Sequence, residues 1–501
     1  MRSFDQIFTI HPVGQGLFYS CIIKTAINKI EADFKLVFDC GSLTHNSSDE
    51  EVEEFRDNYL PDENSRIGLL VISHFDADHV NKIVRLLRNG NKVDKLVIPF
   101  TLIQERLFLV LRYIVSKGRG FDSNDIYTLS LIIDPVGTLG DNFDDDTTIF
   151  LITPGPVTPF DGGESKISEE AAFNISSPNL EFDFDNPKND LTKNEKKAFL
   201  LVTPAKAKLN KVKDTEKGHI HFKTPEYVRL MEFLFYRRSI GDKENKFYKA
   251  VFKSFCAKYK IKMNKDSKVI LKEIIDAVKT IRGGTIVKEL FKQAKLKVPS
   301  VKIVGRDLLN MNTTALCMLH VNLPSILAIF CSRIHDSWYR CHYRSFRIQK
   351  FDGTNNTRTL DYIFADDHYP FYRMHRLFEN FEDFNSKFIY PNCLLTSDSY
   401  LAENIEIELF YNKYCNYWNN FWLFQIPHHG SKNNSNQLLF ARIHSRLFKF
   451  INYGTRHLFE KRYLHPDKEV ILDLTATGHS LNLLPVNEFS GLIFNFFCAR
   501  E

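Results

Sequence analysis

No apolar run in the chain approaches the length of about 20 residues that a membrane-spanning helix needs, so no membrane association is expected. Residues 1–6, MRSFDQ, lack the basic start and apolar stretch of a secretory signal. Cysteine is scarce: nine are scattered through 501 residues, an odd number with no CxxC pair. That pattern argues against a disulfide framework and for reduced thiols in a cytoplasmic protein. Cys40, Cys317 and Cys331 sit in apolar runs and read as small core residues. There is no internal repeat.

What is present fits a globular protein. Hydrophobic residues make up 44% and charged residues 25% of the chain, enough for one large domain with an insertion or for two to three domains. The net charge of +5 hides an uneven distribution. Residues 191–300 hold 28 Lys+Arg against 11 Asp+Glu, a surplus of 17, so the remainder of the chain is net negative by 12. Such asymmetry points to contact with a polyanion. The plainer alternative is a solvated helical region whose lysines keep it soluble.

The apolar run 67–72 reads as a short buried strand that stops at Ser73-His74-Phe75-Asp76-Ala77-Asp78-His79. A turn there aims His74 and Asp76 at one place and offers Asp78 and His79 to a neighbouring one. Imidazole with carboxylate suits zinc, manganese or iron, and two such sites side by side suit assisted hydrolysis. The plainer alternative makes Asp78 a helix N-cap and the histidines incidental. Two distant stretches supply the missing ligands. Residues 392–398 form an apolar strand with Asp398 just past its end, and residues 421–426 form another that runs into Pro427-His428-His429-Gly430-Ser431-Lys432. Ligands at the ends of several buried strands can converge on one sheet edge.

The rest of the pattern is mixed. Strands are expected at 4–11, 17–24 and 35–38, the last ending in Asp39-Cys40-Gly41-Ser42. A helix at 50–59, an amphipathic helix at 80–89, a strand at 93–99, a helix at 102–117 and a strand at 149–154 follow. Residues 155–190 read as a long, acidic connection. The basic segment carries expected helices at 225–235, 246–258, 268–280 and 286–294. A strand pattern resumes at 301, with paired strands at 314–321 and 326–332, and 335–370 is polar and irregular. The order of elements indicates an α/β sandwich.

Taken in order, Val13-Gly14-Gln15-Gly16, Phe38-Asp39-Cys40-Gly41-Ser42, the 73–79 turn, Asn312-Thr313-Thr314-Ala315-Leu316, Leu394-Leu395-Thr396-Ser397-Asp398 and 427–432 resemble the metallo-β-lactamase-fold hydrolases, whose hallmark is a HxHxDH turn. The chain is most similar to the soluble hydrolase domain of ComEC-type DNA-uptake proteins. Tyr453-Gly454, His465-Pro466 and Thr475-Ala476-Thr477-Gly478 are weaker matches. The resemblance covers about 1–155 and 300–485. It implies a four-layer αββα sandwich in two halves, 1–155 and 301–501, separated at 156–300 by an acidic linker and a large, mainly helical basic insertion. It also implies two divalent ions. His74 and Asp76 would hold one, Asp78 and His79 the other, Asp398 would bridge them, and His428 or His429 would complete the second site. Asp39 would orient ligands. Asp76 and Asn312 stand where the family has histidines, and the added oxygen donors tilt preference from zinc toward manganese or magnesium.

On this reading Asp78 also orients the nucleophile, and Lys432, His465, Thr477 and His479 contact substrate or stabilise the leaving group. The expected function is a metal-dependent nuclease or phosphodiesterase acting on DNA, with phosphate contacts from the basic insertion. A defence effector, antiviral or toxin-like, is a setting in which a stand-alone nuclease is held in check. Because one fold hosts many chemistries, two other functions stay open. One is a small-molecule hydrolase of a cyclic nucleotide, lactone or thioester, with the insertion as a lid. The other is a protein whose insertion binds a partner protein and whose site is vestigial.

Overall fold

Along β2 (Gly16–Ile27) the odd residues Leu17, Tyr19, Cys21 and Ile23 enter one core and the even residues Phe18 and Ile22 enter another. This is the period-2 alternation of a strand buried on both faces. The same sorting recurs across two sheets in the computed structural model. It describes residues 2–44, 47–63, 65–117, 122–154, 159–160, 181–184, 200, 207–213, 219–223, 229–238, 240–281, 284–299, 315–323, 326, 345–351, 357–363, 392–418, 421, 423–443, 448–455, 465–478 and 483–500.

The first sheet has the order β13 (Thr357–Ile363), β12 (Ser345–Phe351), β18 (Ser490–Arg500), β1 (Arg2–Ile10), β2, β3 (Ile30–Ser42), β4 (Arg66–Val71), β5 (Lys92–Pro99), β6 (Thr147–Thr153) and β8 (Ala207–Lys213). From β3 to β8 the neighbours are parallel, and the others are antiparallel. The second has the order β17 (Leu483–Val486), β16 (Phe448–Asn452), β15 (Leu423–Gln425), β14 (Cys393–Leu395), β11 (Leu316–Asn322), β10 (Arg229–Arg237), β9 (His219–Lys223) and β7 (Glu181–Phe184). Here β14 to β17 are parallel and the rest antiparallel.

The sheets face each other across one core, to which Phe8, Tyr19, Phe38 and Val71 contribute from the first and Phe233, Met318, Leu395 and Phe450 from the second. The outer face of the first sheet is covered by α1 (Ser47–Tyr59), the short α2 (Ala77–Val80) and α3 (Ile83–Leu86), α4 (Ile103–Lys117), α5 (Ser123–Ile133) and α6 (Pro135–Thr138). The helices α7 (Asp242–Lys258), α8 (Ser267–Thr280) and α9 (Thr285–Lys297) share that core. Phe108 of α4 lies 4.7 Å from Tyr248 and 5.2 Å from Phe291, ring centre to ring centre. The outer face of the second sheet carries α10 (Asn404–Tyr414), α11 (Gln437–Arg442) and α12 (Lys468–Ala476). The protein is thus α/β with two mixed sheets. No described helix is long and apolar enough to cross a membrane.

Three expectations are corrected. Where it is described, 335–370 is not irregular: Ser345–Phe351 and Thr357–Ile363 are β12 and β13, antiparallel to each other, with β12 also paired to β18, and backbone pairing of this kind leaves no mark in a polar sequence. The described part of the expected 225–235 helix, residues 229–235, is not helical: β10 occupies 229–237, with Met231, Phe233 and Phe235 in the inter-sheet core and Leu234 and Tyr236 on the opposite face. Glu226, Arg229 and Glu232 interrupt the apolar residues at every third position, a spacing that suggests a helix, but pairing with β11 decides for the strand. The basic segment therefore supplies strands to both sheets before its helices begin. The expected helix at 80–89 is broken into α2 and α3. At the break Asn81 exchanges two side-chain hydrogen bonds with the Ser42 backbone, and the Lys82 N–H donates to the Cys40 carbonyl. That backbone is docked on β3 instead of continuing a helix. The expectations on Asn312, on His479, on the strand at 301, on most of 326–332 and 335–370, and on nearly all of 155–190 lie outside the described residues.

Candidate metal centre

β4 ends at Val71 between two parallel neighbours, and the chain then turns across the sheet edge as Ser73 to Asp76 before entering α2. Asp76 stands at the N-cap position of α2 but makes no capping side-chain bond, and Asp78 lies inside the helix. Neither carboxylate is spent on a cap, so the N-cap role that the plainer alternative gave Asp78 does not hold. The turn presses against β2 and β3 where only glycine leaves room. A Cβ on Gly41 would stand 2.5 Å from the backbone of Asp78 and His79. A Cβ on Gly16 would stand 2.7 Å from the Asp78 carbonyl oxygen.

Asp39 owes its place to a bulge. Tyr19 pairs with Phe38 and Phe18 with Cys40, which leaves Asp39 unpaired at φ +56°. Ser397, His428 and His429 also adopt left-handed backbone, at φ +49°, +46° and +54°. Non-glycine residues held this way cost on the order of 1–3 kcal/mol each and cluster at functional sites. In the second sheet, parallel β14, β15 and β16 bring Asp398, His428–His429 and Asn452 to one edge.

The side chains form three overlapping groups of donors: Asp39, His74 and His79 make one, and the other two share one carboxylate. His74, Asp76 and Asp398 offer donor atoms that all lie within 4.8 Å of one another, and so do Asp78, His79, Asp398 and His429. Asp398 Oδ2 is 3.7 Å from His74 Nε2, while its Oδ1 is 3.3 Å from His79 Nε2 and 3.7 Å from His429 Nε2. Asp78 Oδ2 lies 3.3 Å from His429 Nε2. His428 belongs to none of them. Its Nε2 is 3.4 Å from Asp398 Oδ2 and its ring is about a quarter exposed.

Each of the four imidazoles has its Nδ1 tied to an oxygen, so Nε2 is left to face the centre. The Ser73 hydroxyl donates to Asp39 Oδ2 over 2.5 Å and therefore accepts from His74 Nδ1 at 2.9 Å. His79 Nδ1 donates to Asp39 Oδ2 at 2.8 Å. His429 Nδ1 donates to the Asn452 carbonyl at 2.8 Å, and His428 Nδ1 to Asn434 Oδ1 at 2.7 Å. Such outer bonds select the ring tautomer that ligates through Nε2. The buried Nε2 atoms of His74 and His79 have no hydrogen-bond partner, a costly state for buried polar groups. Lone pairs of nitrogen and carboxylate oxygen converge on the same small space, and a cation there answers both. These residues can hold a metal ion.

The electrostatics agree. Burial alone would raise the Asp398 pKa, but the imidazoles of His428, His79 and His429 outweigh it and hold the carboxyl well below its usual range. Burial likewise opposes charge on His79, yet Asp398 and Asp39 keep its pKa well above the ordinary histidine value. His429 is raised despite burial by Asp398 and Asp78. Asp78, partly exposed, has its desolvation outweighed by its bond to His429 and the charge of His79, and its pKa is lowered. His74 is lowered by burial and then by His79.

The remaining expected residues spread outward. His465 lies 5.6 Å from the His428 ring and 3.7 Å from Asp467, with its pKa pushed down to about 4 by burial and by His428 and His429. Lys432 is exposed and pairs with Glu469 at 3.5 Å, away from the donor groups. Thr477 caps the end of α12, its hydroxyl bonded to the Asp473 carbonyl at 2.7 Å. Sequence reasoning did not pick out Ser73, Ser397, Asn434 or Asn452. Ser73 and Ser397 hydrogen-bond each other at 2.7 Å and so join the two ligand turns. No pattern of residue types marks them, because hydroxyl and amide side chains beside a turn are common. No protein-family model, curated protein or solved structure matches this chain.

Proposed function

We propose that this protein is a dinuclear metal-dependent hydrolase of the metallo-β-lactamase type that cleaves phosphoester bonds in DNA. The observation that carries the reading is Asp398, whose two oxygens face two separate donor groups, each completed by correctly oriented Nε2 atoms. Two facing sheets with helices outside, and ligand turns at strand ends, support the fold assignment. In this reading His74, Asp76 and Asp398 hold one ion, and Asp78, His79, Asp398 and His429 hold the other. Two divalent ions held by these residues would supply an activated water and polarisation of a phosphoryl oxygen. The oxygen-rich first group favours manganese or magnesium over zinc. Asp39 and Ser73 keep the imidazoles in register, and Ser397 ties Asp398's turn to theirs. His428 and His465, at the less buried side of the centre, face incoming substrate. The surplus of lysine supports a polyanionic substrate, and a nuclease kept in check fits a defence effector.

The test is metal content and cleavage together. Wild-type protein incubated with manganese should bind two equivalents of metal and cut linear or circular DNA, and Asp398→Ala should do neither. Absence of cleavage by the wild type with any divalent ion, or equal cleavage by Asp398→Ala, overturns the reading.

A further inference from the structure

We infer that the groove between α7 and α9 is a docking site for the phosphate backbone of DNA, on the same side of the molecule as the metal centre; this rests on the nuclease reading and deepens it. The groove, about 290 Å³, is lined by Lys253, Lys258 and Lys297, with Ser254 and Gln293 as neutral donors and Glu289 as its one acid. All three lysines are exposed. Among the described lysines of 242–297, Lys265 alone is ion-paired, to Glu273. A surface whose lysines outnumber its carboxylates and are mostly unpaired keeps its field for an external anion.

Placement follows from helix direction. α4 leaves the carboxyl end of β5, at the sheet edge where β4 delivers His74 to His79. Gly284, just before α9, lies beside Val115, whereas Phe291 lies 5.2 Å from Phe108, so α9 runs antiparallel to α4. The last turn of α9, with Lys295 and Lys297, is therefore carried toward the first turn of α4 and the metal-bearing edge. Lys297 Nζ is 3.5 Å from Ser254 Oγ, which brings the C-terminal part of α7 to the same end. The lining has no aromatic ring to stack a base, so the contacts are to phosphates and independent of sequence.

The test is DNA-duplex binding by fluorescence anisotropy as salt is varied, in chelator so that nothing is cut. The proteins compared are wild type, the triple variant Lys253→Gln, Lys258→Gln, Lys297→Gln, and a control of equal charge change, Lys262→Gln, Lys268→Gln, Lys272→Gln. The groove variant should bind about tenfold more weakly or worse. Its salt slope should fall by about 3, because each phosphate left without a lysine partner removes about 0.9 from the slope. The control should be weakened clearly less. Equal weakening in both variants, none in the groove variant, or no binding by the wild type at low salt overturns the inference. Hydrolysis of bis(p-nitrophenyl) phosphate with manganese is followed in parallel. The groove variant should retain it, whereas its absence in the wild type counts against the hydrolase reading and leaves the binding result standing.

Discussion

At the residue scale, the centre is defined by which nitrogen of each histidine is left over. Asn452 and Asn434 hold the Nδ1 atoms of His429 and His428, yet only His429 reaches a full donor group. His429→Ala should remove about one equivalent of bound metal, whereas His428→Ala should leave metal content near wild type; mass spectrometry of metal after gel filtration reads the difference. The His428/His429 choice was open in the sequence because both residues follow the same strand, and left-handed backbone at each decides where the rings go. Protonation makes a second prediction. In the ion-free protein the raised pKa values of His79 and His429 contribute stability that is complete below the unfolded value of about 6.5 and lost as pH rises through the folded values. A bound cation replaces those protons. The increase in Tm caused by manganese should therefore be larger at about pH 8 than at about pH 6, and a smaller increase at the higher pH would contradict the assigned ligands.

At the scale of elements, the ligand turn depends on close packing against β2 and β3. Gly41→Ala pushes a methyl into the backbone of Asp78 and His79. It should destabilise the fold by about 1–3 kcal/mol, the usual cost of overpacking, and weaken metal binding in the same protein, measured by denaturant titration and calorimetry. Phe108 joins α4 to α7 and α9 in one core. Its replacement by alanine should cost about 3–5 kcal/mol, and a cost below 1 kcal/mol would mean that the basic helices are not packed as described. Most elements of 4–117 were legible because a short apolar run bounded by turn residues, or an amphipathic run of helical length, has one common solution. The 225–235 stretch was not: Glu226, Arg229 and Glu232 recur every three positions and mimic a helical period, and neighbours β9 and β11 select the strand from 229 onward. The break at Asn81 was equally hidden, since it is made by Ser42, 39 residues earlier.

At the scale of the whole molecule, the centre lies where the two sheets meet. His74 to His79 leave the first sheet, Asp398 and His429 leave the second, and the Ser73–Ser397 bond closes the gap between them. Metal should consequently act as a staple between sheets. Ion in excess at about 100 times its Kd should add about 2.7 kcal/mol to unfolding, and a chelator should remove it; a chelator without effect on the metal-loaded protein would refute the placement. The sequence by itself determined the donor types, their position just past apolar strands and the concentration of lysine in 191–300, because these follow from residue chemistry and local period. Only the tertiary structure decided that Asp398 is shared by two groups, that His429 and not His428 completes one of them, and that the lysine-rich helices lie on the same core as α4. Those outcomes depend on bonds and packing between residues tens to hundreds of positions apart, and no local pattern carries that information.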